Sequence, residues 1–167
     1  MSEALNIKHP IEPVYNASSR VLILGSFPSV KSREQKFFYG HKQNRFWKVL
    51  AQLIGTETPG TIEEKRDFLL RNHIAVWDVI ASCTIEGSSD SSIRDVVPND
   101  LTRILEAARI QKIFVNGGKA AELYKRYIYP QNGVEAIKLP STSPANAAFS
   151  LDRLIREWKI VADALSN

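Results

Sequence analysis

The sequence predicts an α/β protein: a three-layer α/β/α sandwich around a central, four-stranded, mostly parallel sheet. Two observations carry this expectation. Short apolar runs alternate with longer stretches of helical periodicity along the chain. The runs are continuously apolar rather than alternating, which marks strands covered on both faces. The 167 residues are taken as one domain, 1–167. Such a domain can build a core that buries roughly 70% of the unfolded chain's surface.

The first run, "RVLILGS" (20–26), is a buried strand ending at a glycine. From Asn44 the pattern turns helical: Phe46, Trp47, Leu50, Leu53 and Ile54 recur at intervals of three and four, and Gly55 ends the run. "TIEEKRDFLLRNH" (61–73) opens with Thr61 and Glu64 at capping-box spacing, where each side chain satisfies the other's free backbone N–H. "IAVWDVI" (74–80) is the second strand. "PNDLTRILEAAR" (98–109) is a helix with Asn99 or Asp100 near its cap. "KIFVNGG" (112–118) is the third strand and "KAAELYKRYI" (119–128) the helix after it. "VEAIKLP" (134–140) is the fourth strand, and "SLDRLIREWKIVADAL" (150–165) is an amphipathic helix. No repeat, low-complexity tract or linker interrupts the alternation.

Composition narrows the function classes. The net charge of +4 and pI of about 9.2 suit a polyanionic partner. A single cysteine, Cys83, excludes an internal disulfide, a CxxC zinc site and a four-cysteine iron–sulfur cluster. "MSEALNIKHPIEPVYN" has no apolar signal core, and no 18-residue apolar run follows. The expectation is an intracellular, cytoplasmic monomer that does not engage a membrane.

In parallel α/β sheets, ligands sit beyond the carboxyl ends of the strands. Four segments occupy that edge: "GSFPSVKSREQKFFYGHKQN", "DVIASCTIEGSSDSS", "NGGKA" and "LPSTSPANAA", all rich in small and polar residues. The first two are long, and long loops in a compact domain are more often functional than accidental. Plain structural readings stand beside the functional ones. Gly25 can simply let the chain turn after a strand. "NGGKA" lacks the GxxxxGK[ST] pattern of a phosphate cradle. "STSPANAA" can be an inert surface turn. His9 and His73 read as surface residues, Cys83 as an inert thiol, and Trp47 and Trp158 as core. His41 differs because it sits in a polar loop beside Gly40 and Asn44.

"LILGSFPS", then "YGHKQNRFWKVL", then "STSPAN" together resemble the uracil-DNA glycosylase superfamily, and within it the hypoxanthine-DNA (deoxyinosine) glycosylase branch. "GSFPS" stands where the superfamily has its first active-site motif. "NRFWKVL" is similar to the segment after that motif in mismatch-specific uracil enzymes. "STSPAN" stands at the second motif, the DNA-penetrating loop. The resemblance spans residues 20 to 160 and implies a four-stranded parallel sheet between helices. It also has departures. Phe27 replaces the asparagine that positions water in the mismatch enzymes. The aspartate and histidine of the abundant uracil enzymes are absent from "GSFPS", and Ser141 stands in place of their second-motif histidine.

The resemblance therefore implies a monofunctional glycosylase without metal or cofactor, acting on DNA that contains a deaminated base, with Asn44 as its catalytic residue. Gly25, Ser26, Phe27, Tyr39, Gly40, His41, Asp78 and Asn116 are expected around the base. Ser29, Lys42, Ser141, Thr142, Ser143, Pro144, Ala145 and Asn146 are expected on the DNA, with Lys31, Arg33, Lys36 and Lys138 adding phosphate contacts. Breaking an N-glycosidic bond builds a cation on the sugar and negative charge on the departing base. Asn44 cannot act as a true base, but its amide can orient water. Phe27 can stack on an extruded base. Asp78 either accepts from hypoxanthine N1–H or caps a loop. Two other classes stay open: a DNA-binding protein of the same fold without catalysis, and a nucleoside hydrolase using the same bond chemistry. Uracil and xanthine stand behind hypoxanthine as substrates.

Overall fold

The structure, a computed structural model, describes residues 3–166. In chain order the elements are β1 (Ala4–Lys8), β2 (Val21–Gly25), α1 (Val30–Gln35), α2 (Phe46–Ile54), α3 (Ile62–Arg71), β3 (Ile74–Asp78), β4 (Ile80–Glu86), β5 (Arg94–Pro98), α4 (Thr102–Ala107), β6 (Lys112–Asn116) and α5 (Gly118–Leu123). A wider helical turn, Tyr124–Ile128, joins α5 to α6 (Tyr129–Asn132). Then come β7 (Ala136–Leu139) and α7 (Leu151–Ser166).

The expected parallel sheet is present, in the order β3-β2-β6-β7 with every pair parallel. All five residues of β2 and of β3 are buried, as continuous apolar runs between helix layers should be. α2 and α7 pack together, with the Phe46 and Trp158 rings edge to face at 5.9 Å. Trp47 and Trp158 lie in the core, as their helical stripes predict. The Thr61–Glu64 capping box forms in both directions.

Two corrections concern the segments read as loops. "DVIASCTIEGSSDSS" is largely strand: β4 is the centre of a second, antiparallel sheet ordered β1-β4-β5. Its pattern of burial is irregular and its pairing with β5 shifts register twice, so no period-2 alternation announces it. The first long segment contains α1, opened by Ser29, whose hydroxyl accepts from the Ser32 N–H at 3.2 Å.

The chain passes from one sheet to the other at Val79, and buried Asn99 fastens that corner. Its amide donates to the carbonyls of Asp78 and Ile80, at 2.8 and 3.1 Å, so Asn99 does not cap α4. Asp100 serves that helix instead, accepting from the Thr102 N–H at 2.9 Å. The corner sets Asp78 at the carboxyl end of the parallel sheet and leads directly into the second sheet. Among the described residues, no helix is long and apolar enough to cross a membrane.

Candidate active site

The carboxyl ends of β2, β3 and β6 open into a cavity of about 370 Å³. Five chain segments line it: Gly25–Ser29 after β2, Tyr39, His41 and Asn44 before α2, Asp78, Asn116, and the turn 141–145. The loop after β4 adds Ser88 and Asp90. Gly40, Lys42 and Asn146 stand outside the cavity, as do the expected phosphate contacts Lys31, Arg33, Lys36 and Lys138. Gly40 packs under α1, where a Cβ would stand 2.4 Å from Gln35 Oε1. Lys42 is exposed, and Asn146 lines a neighbouring hollow.

Gly25 does more than let the chain turn. A Cβ there would stand 2.5 Å from Asp78 Oδ1 and 3.0 Å from the Tyr39 hydroxyl, so only glycine leaves both groups their places. Asp78 is buried, and its Oδ2 lies 2.7 Å from His9 Nε2. His9 is therefore no surface residue; its side chain is 5% exposed and reaches from just beyond β1 to the end of β3. His9 Nδ1 accepts from the Ile11 N–H at 3.2 Å, so the ring proton belongs on Nε2, which donates to the carboxylate. Asp78 is thus held in one orientation with Oδ1 beside Gly25.

The Tyr39 hydroxyl is buried without a hydrogen bond of ordinary geometry. Burial first, and the Asp78 charge second, push its pKa far above the usual phenol range, with the Asn116 amide offsetting only part. Its backbone is left-handed, at φ 52°, an uncommon conformation for a large side chain. Three contacts hold it. The ring stacks on Phe46 at 3.9 Å, the carbonyl accepts from Trp47 Nε1 at 3.2 Å, and the hydroxyl is packed against Gly25.

Asn44 lies half-buried at the cavity and immediately before α2. Its Oδ1 accepts from the Phe46 N–H at 3.0 Å, which fixes the amide and leaves Nδ2 as the donor free to face the cavity. Next to it, Arg45 carries a function that the sequence reading missed. Its guanidinium donates to the carbonyls of Phe149, Ser143 (3.0 Å) and Asn146 (3.1 Å), and its N–H donates to the Thr142 carbonyl at 3.0 Å. The turn 141–146 is thereby fastened to the start of α2.

The turn has an inner and an outer part. Thr142 is fully buried and does not face outward as a DNA contact must. Its hydroxyl accepts from Asn116 Nδ2 at 3.0 Å while its N–H donates to Asn116 Oδ1 at 3.1 Å. The Asn116 amide thus anchors the turn through both its nitrogen and its oxygen. Asn146 points inward as well, donating to the Ser141 carbonyl at 3.0 Å. Ser143 and Pro144 are half-buried and Ala145 is exposed, and these three form the outer part.

Among the expected phosphate contacts, Arg33 is otherwise engaged. It donates to the carbonyls of Pro28 (2.7 Å) and Gly87 (3.0 Å), with its guanidinium 5.7 Å from the Phe27 ring centroid. Burial lowers its pKa. Lys31 pairs with Glu34 on the surface at 3.8 Å. Lys36 is exposed, and Lys138 lines the neighbouring hollow. Cys83 is buried in β4, and burial pushes its thiol up to about 11, which agrees with an inert role. His41 is exposed, and its Nδ1 accepts from the Gln43 N–H at 3.1 Å. Among the described residues, no three His, Cys, Asp or Glu side chains converge to hold a metal ion.

Asp90, in the serine-rich loop after β4, is a second residue that sequence reasoning passed over. Its Oδ1 accepts from the Ser26 hydroxyl at 3.3 Å. Burial of the carboxyl raises its pKa, the Ser26 bond and Lys119 offset part of this, and the Asp78 charge adds to it.

The family model of the uracil DNA glycosylase superfamily matches residues 12–164. The chain belongs to that superfamily. A hypoxanthine DNA glycosylase of Methanosarcina acetivorans is 36% identical over 157 residues, 93% of this chain and 98% of the relative. One from Methanosarcina barkeri is 32% identical over 140 residues, 83% of this chain and 88% of the relative. A solution NMR structure from Methanosarcina acetivorans, of a protein provisionally named a uracil DNA glycosylase, superposes with a TM-score of 0.82 at 34% identity. It covers 98% of this chain and 100% of that one. The superfamily member described here therefore combines the expected sheet with a cavity at the expected strand ends. Phe27, which the resemblance sets at the first motif, is 9% exposed and lines that cavity.

Proposed function

We propose that this protein is a monofunctional DNA glycosylase that removes hypoxanthine from DNA by hydrolysing the N-glycosidic bond. The supporting observation is the fixed carboxylate of Asp78 on the cavity wall. His9 donates to Oδ2, so Oδ1 meets a ligand as an acceptor only. Hypoxanthine presents N1–H, a donor, on its Watson–Crick edge. Adenine presents a lone pair at N1, which would face the carboxylate with no proton between them. The same group therefore attracts the deaminated base and repels the undamaged one, a discrimination built on an unfavourable alternative. The names of the two archaeal relatives point to the same substrate.

The remaining parts fit extrusion and hydrolysis. Unstacking the target nucleotide costs a few kcal/mol, and the Phe27 ring at the cavity offers stacking of roughly 1–3 kcal/mol in return. The outer turn, Ser143 to Ala145, supplies a hydroxyl and an apolar wedge for the gap left in the duplex. Asn44 Nδ2 holds water near the sugar, and such positioning is itself a source of rate. The partner is DNA containing a deaminated base.

A panel of duplexes tests the proposal. Each carries one inosine, xanthosine, deoxyuridine or adenine, is incubated with the protein, and is then cleaved at abasic sites with alkali. The inosine strand should break fastest and the adenine strand not at all. Uracil removed faster than hypoxanthine, or no cleavage of any strand, would overturn the assignment.

A further inference from the structure

We propose that Asp90 is a second catalytic residue of this site: its carboxylate takes the proton of the water that attacks C1′ of the extruded nucleotide. The proposal rests on the glycosylase reading above. An amide cannot accept a proton at neutral pH, so Asn44 can place the water but cannot deprotonate it. A carboxylate elsewhere on the cavity wall can take that proton.

The described cavity residues offer three acceptor groups, Asp78, His41 and Asp90. Asp78 spends Oδ2 on His9 and stands with Oδ1 beside Gly25, where it meets the Watson–Crick edge of the base. In a purine, N1 and the glycosidic N9 lie on opposite sides of the ring system, so a carboxylate that reads N1–H is remote from C1′. The His41 Nδ1 already accepts the Gln43 N–H, which leaves its ring proton on Nε2 as a donor. Asp90 remains. It borders both the main cavity and the adjoining hollow, and so stands at the rim between them.

Its surroundings suit the role. The Ser26 hydroxyl holds Oδ1 next to the residue that stacks the base and leaves Oδ2 for water. The loop is tied down: Ser88 Oγ accepts from the Val30 N–H at 2.9 Å, and Ser92 Oγ accepts from the Glu86 N–H at 2.9 Å. Asp90 is exposed at the cavity edge, and the partial desolvation of its carboxyl there raises the pKa, which makes it a stronger base. The charged groups facing it are Asp78 from β3 and Lys119 from α5, with Lys138 of β7 and Glu157 of α7 across the adjoining hollow. Two carboxylates in unlike settings thus divide the work, one reading the base and the other serving the water.

The step balances as follows. The C1′–N9 electron pair leaves with the base as its anion. The water oxygen bonds to C1′, and one water proton passes to the Asp90 carboxylate. Asp90 then returns that proton to solvent while the base anion takes one up, leaving an abasic site and neutral hypoxanthine.

The test is single-turnover excision from an inosine duplex by the full chain and by Asp90→Asn and Asp90→Ala, across pH, with DNA affinity measured in parallel. General acid–base catalysis contributes typically 10²–10⁴-fold, so Asp90→Asn should lose about a hundredfold or more in rate. Its affinity for the duplex should not fall. The acid limb of the pH–rate profile should vanish, and added formate should restore part of the rate of Asp90→Ala. A variant within about threefold of wild type, or a loss traced wholly to weaker DNA binding, would overturn the role of Asp90 alone. A wild-type protein that removes no base would instead overturn the glycosylase reading, and this proposal with it.

Discussion

Asn44→Ala separates the observed backbone contact of this side chain from the water-holding role proposed for it. Oδ1 accepts from the Phe46 N–H at 3.0 Å, which satisfies the first free N–H of α2 in the manner of a cap although Arg45 holds the N-cap position. Losing such a cap costs about 1 kcal/mol, which in a domain of this size lowers Tm by roughly 2–4 °C. If Asn44 were only a cap, excision would be unchanged once the protein is folded. If its amide also holds the attacking water, single-turnover excision of hypoxanthine should fall by about a hundredfold or more. A hundredfold loss corresponds to about 2.7 kcal/mol of transition-state stabilisation, well beyond the cap. Asn44→Asp sharpens the comparison. It keeps the acceptor for Phe46 but loses the Nδ2 donor and adds a third carboxylate to a cavity that already holds Asp78 and Asp90. Its stability should match wild type, its activity should lie between wild type and Asn44→Ala, and its DNA affinity should drop at fixed salt. Urea melts, duplex anisotropy and alkali-developed gels give the three readouts. A fully active Asn44→Ala protein would refute the reasoning.

Gly25→Ala would drive a Cβ to 2.5 Å from Asp78 Oδ1, and Asp78 is not free to yield because His9 holds its other oxygen. We expect a stability loss of about 1–3 kcal/mol in urea melts and a larger fall in hypoxanthine excision than in DNA binding. Unaltered excision would show that Asp78 is not held where the base must sit. Arg45→Lys cannot reproduce a planar fork that serves three carbonyls. It should cost about 1.5–3 kcal/mol and expose the 141–149 segment to limited proteolysis, and an unchanged melt with an unchanged digest would count against the clamp.

The parallel sheet was legible because its evidence is local. "VLIL" and "IAV" are apolar without alternation, and each is followed later in the chain by a 3.6-residue pattern. Placing the site at the strand ends follows from that sheet, and most of the expected base-side residues do line one cavity. What could not be read locally were the long-range partnerships. His9 meets Asp78 across 69 positions, and Ser26 meets Asp90 across 64. Both contacts depend on the second sheet, whose outer strands β1 and β5 are largely exposed and whose β4–β5 pairing is irregular. A histidine in a polar terminal segment and an aspartate within "SSDSS" carry no period that distinguishes them from solvated surface. The only signal within reach was the excess length of the segment before Arg94.

The stretch "YGHKQNRFW" shows why polar and aromatic residues are interleaved there. Asn44 serves the cavity, Arg45 fastens the turn that follows β7, Phe46 lies under the Tyr39 ring, and Trp47 holds the Tyr39 carbonyl. Three consecutive side chains, Arg45 to Trp47, thus fix two different walls of one cavity to one helix end. α2 is in turn locked into the core, with Phe46 and Trp47 at 0% and 5% exposure. A helix start so constrained has little freedom to rotate without moving the Tyr39 wall and the 141–146 turn together. The geometry between Asn44 and the base-reading wall is therefore set by packing far more than by the loops that carry the polar groups. Buried aromatic contacts beneath a polar rim give the site the rigidity that water positioning requires.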